Sequence, residues 1–149
     1  NIAVVTFGGK NVNIEKIDNI TFYNFGFIDD DNILIDLYNS CKLMVVPSLQ
    51  EAYGKTAGES MACGTPVVAF NVGGLSDIID HKINGYLAEP YNAKDLGTGI
   101  QWVLNCEDQE SLQIQSRNKI LREFSSEKVI GQYIDLYKKL TTKSRRGLV

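Results

Sequence analysis

The chain has 149 residues, enough for one domain with a substantial hydrophobic core. Its net charge of −3 argues against a general nucleic-acid or membrane-surface binder, because such proteins concentrate positive charge. The longest apolar runs are too short to span a bilayer, and the three cysteines have no metal-ligand spacing. Buried reduced thiols in a cytosolic protein are the simplest interpretation.

The first two thirds of the chain alternate between strand and helix patterns. Short runs of β-branched and aromatic residues, bounded by glycine or proline, predict buried strands at residues 2–7, 20–25, 43–46, 66–70 and 86–88. We expect the first strand to be buried on both faces. Helical patterns between the strands predict three helices. The first follows the acidic run at 29–31 and continues through Tyr38, the second covers 56–63, and the third is short and includes Ile78 and Ile79.

The last third reads as helix. Apolar spacing predicts helices at 93–104, 112–124 and 129–140, the last one begun by Ser125 or Ser126. The aromatic residues of these helices sit at helical spacing and are expected to pack rather than bind: Trp102, Tyr133 and Tyr137. Residues 141–149 are predicted to be a polar, frayed tail.

Strands that alternate with helices and are followed by a helical end predict an α/β fold. We expect a doubly wound, mostly parallel sheet with helices on both faces, formed by residues 1–140. The chain opens directly on a strand, without an initiator methionine, so we interpret it as a fragment of a longer protein.

The segment from Glu51 to Glu59 follows the strand that ends before Pro47, at the sheet edge where α/β proteins bind ligands. Gly54 permits close backbone approach, and the amides of Lys55 and Thr56 are unpaired at a helix start, so a phosphate could rest there. One glutamate could then hold a ribose diol and the other the hydroxyls of a sugar. Equally, both glutamates could be ordinary acidic residues near a helix N-terminus.

A resemblance favours the first interpretation. The two glutamates resemble the E-x7-E motif of family 4, group 1 type, glycosyltransferases, which have the GT-B fold. The flanking runs follow in the family's order, and the resemblance extends to about Leu140. The flanking runs are residues 26–28, 37–48, 59–69, 72–79 and 84–87.

The resemblance implies a role for each site residue. Glu59 would bind the ribose, and Glu51 would contact the transferred sugar as the catalytic residue. The backbone of Tyr53, Gly54, Lys55 and Thr56 would meet sugar and diphosphate, while the loop with Phe27 and Ile28 would meet the base. Family members retain anomeric configuration and need no metal, so neither a metal nor a cofactor is expected.

The same resemblance implies the context of the whole enzyme. The donor would be a nucleoside-diphosphate sugar, and the acceptor a glycan or lipid bound through an N-terminal domain that lies outside this chain. The first βα unit of this domain, which carries the family's diphosphate-binding Arg and Lys, would also lie outside it. We expect a cytoplasmic protein, with peripheral membrane association of the full enzyme left open, and no activity from the fragment alone.

Two other classes stay open. A GT-B sugar-nucleotide epimerase would show a different glutamate spacing, and a non-catalytic nucleotide-binding module would lack the other half of the enzyme. Other motifs have simpler interpretations. The acidic run at 29–31 is expected to cap a helix, His81 to be a surface residue, residues 6–10 to form a turn, and Gly73-Gly74 to form a tight turn.

Overall fold

The computed structural model describes residues 2–146, with side chains as far as residue 142. It divides between Ser40 and Cys41 into two compact units. Each unit contains one three-stranded sheet, so the strands predicted to form a single sheet are shared between two. The predicted α/β class, with a parallel sheet and a helical C-terminus, is confirmed.

The first unit consists of a small mixed sheet and one helix: β1 (Ile2–Thr6), β2 (Val12–Ile17), β3 (Ile20–Phe25) and α1 (Asp31–Ser40). The strand order is β1-β3-β2, with β1 parallel and β2 antiparallel to β3. Asp30 confirms the predicted helix cap, because its carboxylate accepts a hydrogen bond from the amide of Asn32 (2.8 Å). The turn predicted after β1 is also present, with Gly8 at φ 87°.

Two features of this unit differ from the prediction. The strand β2 was not predicted, because its apolar residues alternate with polar ones instead of forming a run, and all six are exposed. A two-residue turn with Asp18 at φ 51° joins it to β3. The prediction that β1 is buried on both faces is wrong, since β1 is an edge strand with one neighbour and Ile2 is 54% exposed.

The second unit contains three parallel strands in the order β4-β5-β6. Its elements in chain order are β4 (Met44–Val46), α2 (Lys55–Ala62), β5 (Val67–Phe70), α3 (Leu75–Ile78), β6 (Gly85–Ala88), α4 (Ala93–Leu104), α5 (Gln109–Glu123) and α6 (Ser126–Arg146). Gly64, at φ 86°, ends the α2 region as predicted.

The central strand β5 organises the core of this unit. All four of its residues are buried, and alternate side chains point to opposite faces. Val67 and Ala69 pack with residues of α2 and α3, whereas Val68 and Phe70 pack with Val103 of α4. Helices therefore cover both faces of this sheet, as predicted for a doubly wound fold.

The C-terminal helices match the prediction except at the start of α5, which lies at Gln109 instead of residue 112, and at the end of α6. Ser125 caps α6, accepting a hydrogen bond from the amide of Lys128 (3.4 Å). The helix continues to Arg146 because the predicted tail contains lysine and arginine, which favour helix; Gly147 lies outside the described residues. Trp102 packs against the core as predicted, but Tyr133 and Tyr137 are 56% and 61% exposed. None of the helices described is long and apolar enough to cross a bilayer.

The cysteines are unpaired, as expected for reduced thiols, but they are half-buried rather than buried. Burial raises the pKa of the Cys63 thiol, and this effect outweighs the opposing charge of Arg117. A raised pKa keeps Cys63 in the unreactive thiol form at neutral pH.

Gly99 sets how closely α4 approaches the sheet. A Cβ at this position would lie 2.4 Å from Cδ1 of Tyr86 and 2.8 Å from Cγ1 of Val68. We predict that Gly99→Ala lowers the free energy of unfolding by about 1–3 kcal/mol, although alanine is the better helix former. Urea unfolding followed by the fluorescence of Trp102, the single tryptophan, measures this.

Gly97 of the same helix provides the matched control, because a Cβ there meets no atom within 4 Å. Gly97→Ala should raise stability by up to about 1 kcal/mol. Equal effects of the two substitutions would contradict the close packing of α4 on β6.

Candidate functional site

Three loops converge at the carboxyl edge of the second unit's sheet. They follow β4, β5 and β6, and because these strands are parallel the loops meet on one side. A cavity of about 530 Å³ lies between them. Its lining comes from all three loops: Leu49, Gln50, Glu51 and Ala52, then Val72 and Gly73, then Tyr91.

The first loop ends in a left-handed turn that starts α2. Gly54 is buried at φ 85°, ψ 46°, and a Cβ there would lie 2.9 Å from Cδ2 of Leu75, so only glycine fits without displacement. The amide of Gly54 donates a hydrogen bond to Oε1 of Glu51 (3.1 Å). This bond fixes one oxygen of the carboxylate at the entrance to the helix.

The N-terminus of α2 is open to an anion. In the first backbone hydrogen bond of the helix, the amide of Gly58 donates to the carbonyl of Gly54 (2.9 Å). The amides of Lys55, Thr56 and Ala57 have no acceptor among the described residues. These amides and the helix dipole form a partial positive charge, which favours a phosphate group.

Glu59 lies one helical turn further along α2. Its Oε1 is 3.4 Å from Nζ of Lys55, whose side chain is 84% exposed. An ion pair this exposed contributes little to stability, so a ligand can replace it at small cost. Lys55, predicted to meet the diphosphate, and Glu59, predicted to bind the ribose, therefore contact each other in this structure.

The second loop supports the first through backbone contact. A Cβ on Gly73 would lie 1.7 Å from the carbonyl oxygen of Glu51, and one on Gly74 would lie 2.7 Å from that of Ala52. The amide of Gly74 also donates a hydrogen bond to the carbonyl of Glu51 (3.1 Å). The glycine pair, predicted to be a tight turn, thus also fixes the position of the loop that contains Glu51.

The third loop is held by a carboxylate. The amide of Glu89 and the hydroxyl of Tyr86 donate hydrogen bonds to the two oxygens of Asp95 (2.7 and 2.8 Å). These bonds, the Glu89 amide foremost, lower the pKa of Asp95, and the same pairing raises the pKa of Tyr86. Asn92 caps α4 by accepting a hydrogen bond from the amide of Asp95 (3.1 Å).

The structure brings most of the predicted site residues into one turn-and-helix segment. Glu51 lines the cavity, and Gly54, Lys55 and Thr56 form the helix start, with Glu59 one turn beyond. The ring of Tyr53 packs edge-on against Phe124, with centroids 6.4 Å apart. The roles predicted for these residues remain predictions.

Phe27 and Ile28 belong to the first unit. Phe27 is 77% exposed and Ile28 is half-buried, and both lie in the loop between β3 and α1. Their predicted contact with a base also remains a prediction.

Sequence reasoning missed the second and third contributions to the cavity, Val72 and Tyr91. Val72 begins the family-like run 72–79, for which the resemblance implied no ligand contact, and Tyr91 belongs to no recognisable motif. His81 is exposed, as predicted, and its Nδ1 accepts a hydrogen bond from the amide of Leu87 (3.1 Å). Within the described residues, no group of three or more His, Cys, Asp or Glu is arranged to hold a metal ion.

An α/β sheet with unpaired helix amides and two acidic side chains at its carboxyl edge is typical of nucleotide-binding proteins. Comparison with known proteins specifies the family. Residues 13–122 match the family model of the glycosyl transferases group 1. The chain belongs to this family, which confirms the group 1 glycosyltransferase resemblance found in the sequence.

Relatives and solved structures agree with this membership. An uncharacterized glycosyltransferase of Methanocaldococcus jannaschii is 34% identical over 76% of this chain and 29% of its own length. Sucrose-phosphate synthase from Thermosynechococcus elongatus is 35% identical with a TM-score of 0.72, covering 85% of this chain and 31% of its own.

A variant of S. aureus TarM, solved with Fondaparinux, α-GlcNAc-glycerol and UDP, is 29% identical with a TM-score of 0.68. The match covers 78% of this chain and 23% of TarM. The chain therefore spans between about a quarter and a third of the length of these three proteins.

The contact of Gly73 with Glu51 yields a prediction. Gly73→Ala should destabilise the second unit by about 2 kcal/mol or more, because the new Cβ meets a backbone oxygen and φ is 51°. Urea unfolding followed by Trp102 fluorescence measures the change. Gly58→Ala is the control, since a Cβ there meets nothing within 4 Å; an unchanged midpoint for Gly73→Ala would rule out the backbone contact.

The lowered pKa of Asp95 predicts a pH effect. A carboxylate whose pKa is lower in the folded state stabilises the fold above its unfolded pKa, and this contribution disappears as pH falls through the folded pKa. Asp95→Asn should therefore lower the urea midpoint at pH 7, and the difference should shrink below about pH 4. Asp135→Asn, at an exposed site on α6, serves as control; a difference for Asp95→Asn that is the same at pH 7 and pH 3.5 would be evidence against the linkage.

Proposed function

We propose that this chain is the donor-binding part of a retaining, metal-independent glycosyltransferase of family 4. The whole enzyme transfers a sugar from a nucleoside-diphosphate sugar to a glycan or lipid acceptor, which binds through a further domain. The observation that carries the proposal is the turn between Glu51 and α2, where a left-handed glycine, free helix amides and two glutamates occupy nine consecutive residues.

The start of α2 supplies the diphosphate site. Three amides without acceptors point out of the helix end, and a phosphate oxygen can accept hydrogen bonds from them. The Lys55 ammonium lies at the same end and gains a second partner there when a diphosphate binds. Stabilising the charge of the leaving diphosphate in this way requires no metal ion.

The two glutamates supply the hydroxyl acceptors. Glu59, one turn beyond the phosphate site, accepts hydrogen bonds from the ribose diol. Glu51 uses one oxygen for the Gly54 amide and lines the cavity, so its other oxygen is available to a hydroxyl of the transferred sugar. The structure solved for TarM contains UDP, which supports a nucleotide ligand for this fold.

Retention of configuration, family 4 membership and independence from metals rest on the E-x7-E resemblance. A cytoplasmic location, with peripheral association of the full enzyme with the membrane, rests on the same resemblance. The second candidate is a nucleotide-binding module without transfer activity; it predicts the same nucleotide affinity, so only assays of the longer protein separate the two.

Nucleotide binding tests the proposal directly. Titration calorimetry and thermal shift with UDP, GDP and ADP should show one nucleoside diphosphate that binds and stabilises the chain, whereas NAD should not. Glu59→Gln should weaken that affinity by about 2 kcal/mol, or roughly 30-fold, because the ribose hydroxyls lose the negative charge and one of the two acceptor oxygens of the carboxylate.

Glu59→Gln is a demanding test. The substitution also removes the ion-pair partner of Lys55, which by electrostatics alone should strengthen anion binding. Glu110→Gln, at an exposed site on α5, is the control with the same loss of charge. If no nucleoside diphosphate binds, or if Glu59→Gln binds as well as the unaltered chain, the proposal is wrong.

A further inference from the structure

Tyr91 has an unfavourable backbone conformation at the mouth of the cavity. Its φ is 64°, in the left-handed region that bulky residues rarely adopt. The other non-glycine residues with positive φ in the described chain are Asp18 and Lys82, which are polar and exposed, in turns. Tyr91 is the one large aromatic residue among them.

Hydrogen bonds on both sides of Tyr91 hold this conformation. The amide and the side-chain amide of Asn92 donate to the carbonyl and the carboxylate of Glu89 (3.1 and 2.8 Å). Asp95 accepts from the Glu89 amide, and its own amide donates to Asn92 (2.7 and 3.1 Å). The loop is therefore closed around Tyr91 by contacts that do not involve its side chain.

The result of this closure is an outward-facing ring. Tyr91 is 64% exposed, and its ring centroid lies 6.5 Å from that of Phe70, which is buried at the end of β5. Tyr91 lines the same cavity as Glu51 and Gln50. An exposed aromatic surface and two polar acceptor groups thus face one space.

We propose that Tyr91 is a specificity-determining residue that stacks on the apolar face of a pyranose ring whose hydroxyls are held by Glu51. A pyranose has one face of C–H groups and a rim of hydroxyls, so it matches an aromatic surface beside carboxylate and carboxamide acceptors. This inference rests on the proposed function and deepens it. The pyranose is either the transferred sugar of the donor or a sugar of the acceptor.

The donor arm of the test compares two affinities. For the nucleotide that binds best, the dissociation constants of the nucleoside diphosphate and of its sugar conjugate are measured by calorimetry, using UDP with UDP-glucose, GDP with GDP-mannose or ADP with ADP-glucose. Tyr91→Gly should reduce the advantage of the sugar conjugate about fivefold and leave the affinity for the diphosphate unchanged. Tyr91→Phe keeps the aromatic surface and should keep the advantage.

The acceptor arm uses methyl α-glucoside titrated into the chain saturated with the nucleoside diphosphate. If Tyr91→Gly weakens only the binding of methyl α-glucoside, the stacked pyranose belongs to the acceptor. If it weakens the binding of the sugar conjugate, the stacked pyranose belongs to the donor. Either result supports the stacking role.

Protein stability separates stacking from folding. Glycine adopts φ 64° without strain, so Tyr91→Gly should melt no lower than the unaltered chain. Lys82→Gly makes the same backbone change at φ 61° outside the cavity lining and should leave all affinities unchanged.

Two results would overturn the inference. If the diphosphate binds and Tyr91→Gly changes neither sugar affinity, Tyr91 has no stacking role, while the proposed function stands. If the unaltered chain binds no nucleoside diphosphate, the proposed function fails and this inference fails with it.

Discussion

The backbone contact between the loops that follow β4 and β5 determines the geometry of the site. Gly73 and Gly74 lie so close to the carbonyls of Glu51 and Ala52 that no side chain fits between them. The Gly74 amide adds a hydrogen bond to Glu51, and Glu51 in turn accepts one from Gly54. This series of contacts ties the glutamate and the start of α2 to the loop that follows β5, the strand whose four residues are all buried.

The opposite edge of the sheet is fixed by a polar cluster. Lys119 of α5 is buried and pairs with Asp80 (3.1 Å) and Glu123 (2.9 Å). Burial lowers the pKa of Lys119, but hydrogen bonds to Glu123 and Asp80 outweigh it, so the pKa is raised overall. Asn84, also buried, accepts from the amide of Asp80, and its carbonyl accepts from Ser116 of α5 (2.9 and 2.6 Å). Fixing this edge leaves the carboxyl edge free to carry the loops that line the cavity.

Backbone groups, more than side-chain charge, form the proposed anion site. The chain carries a net charge of −3, and the lysine nearest the start of α2 pairs with Glu59. The unpaired amides of the helix start supply the positive potential instead. The proposed diphosphate site therefore does not require a basic domain, and composition alone does not reveal it. The matched region covers 29% of the length of the Methanocaldococcus jannaschii relative, so residues elsewhere in such proteins can add further positive charge.

The sequence alone was sufficient for the local features. Apolar runs and apolar spacing located β3 and α4 at their observed bounds, and the spacing of Glu51, Gly54 and Glu59 drew attention to the candidate site segment. These signals depend on neighbours within about ten residues. Only the tertiary structure decided how the strands divide into two sheets, that β2 pairs with β3, and that Tyr91 joins Glu51 in one cavity. Those features depend on contacts between distant segments and on a left-handed backbone at Tyr91, which leave no periodic pattern in the chain.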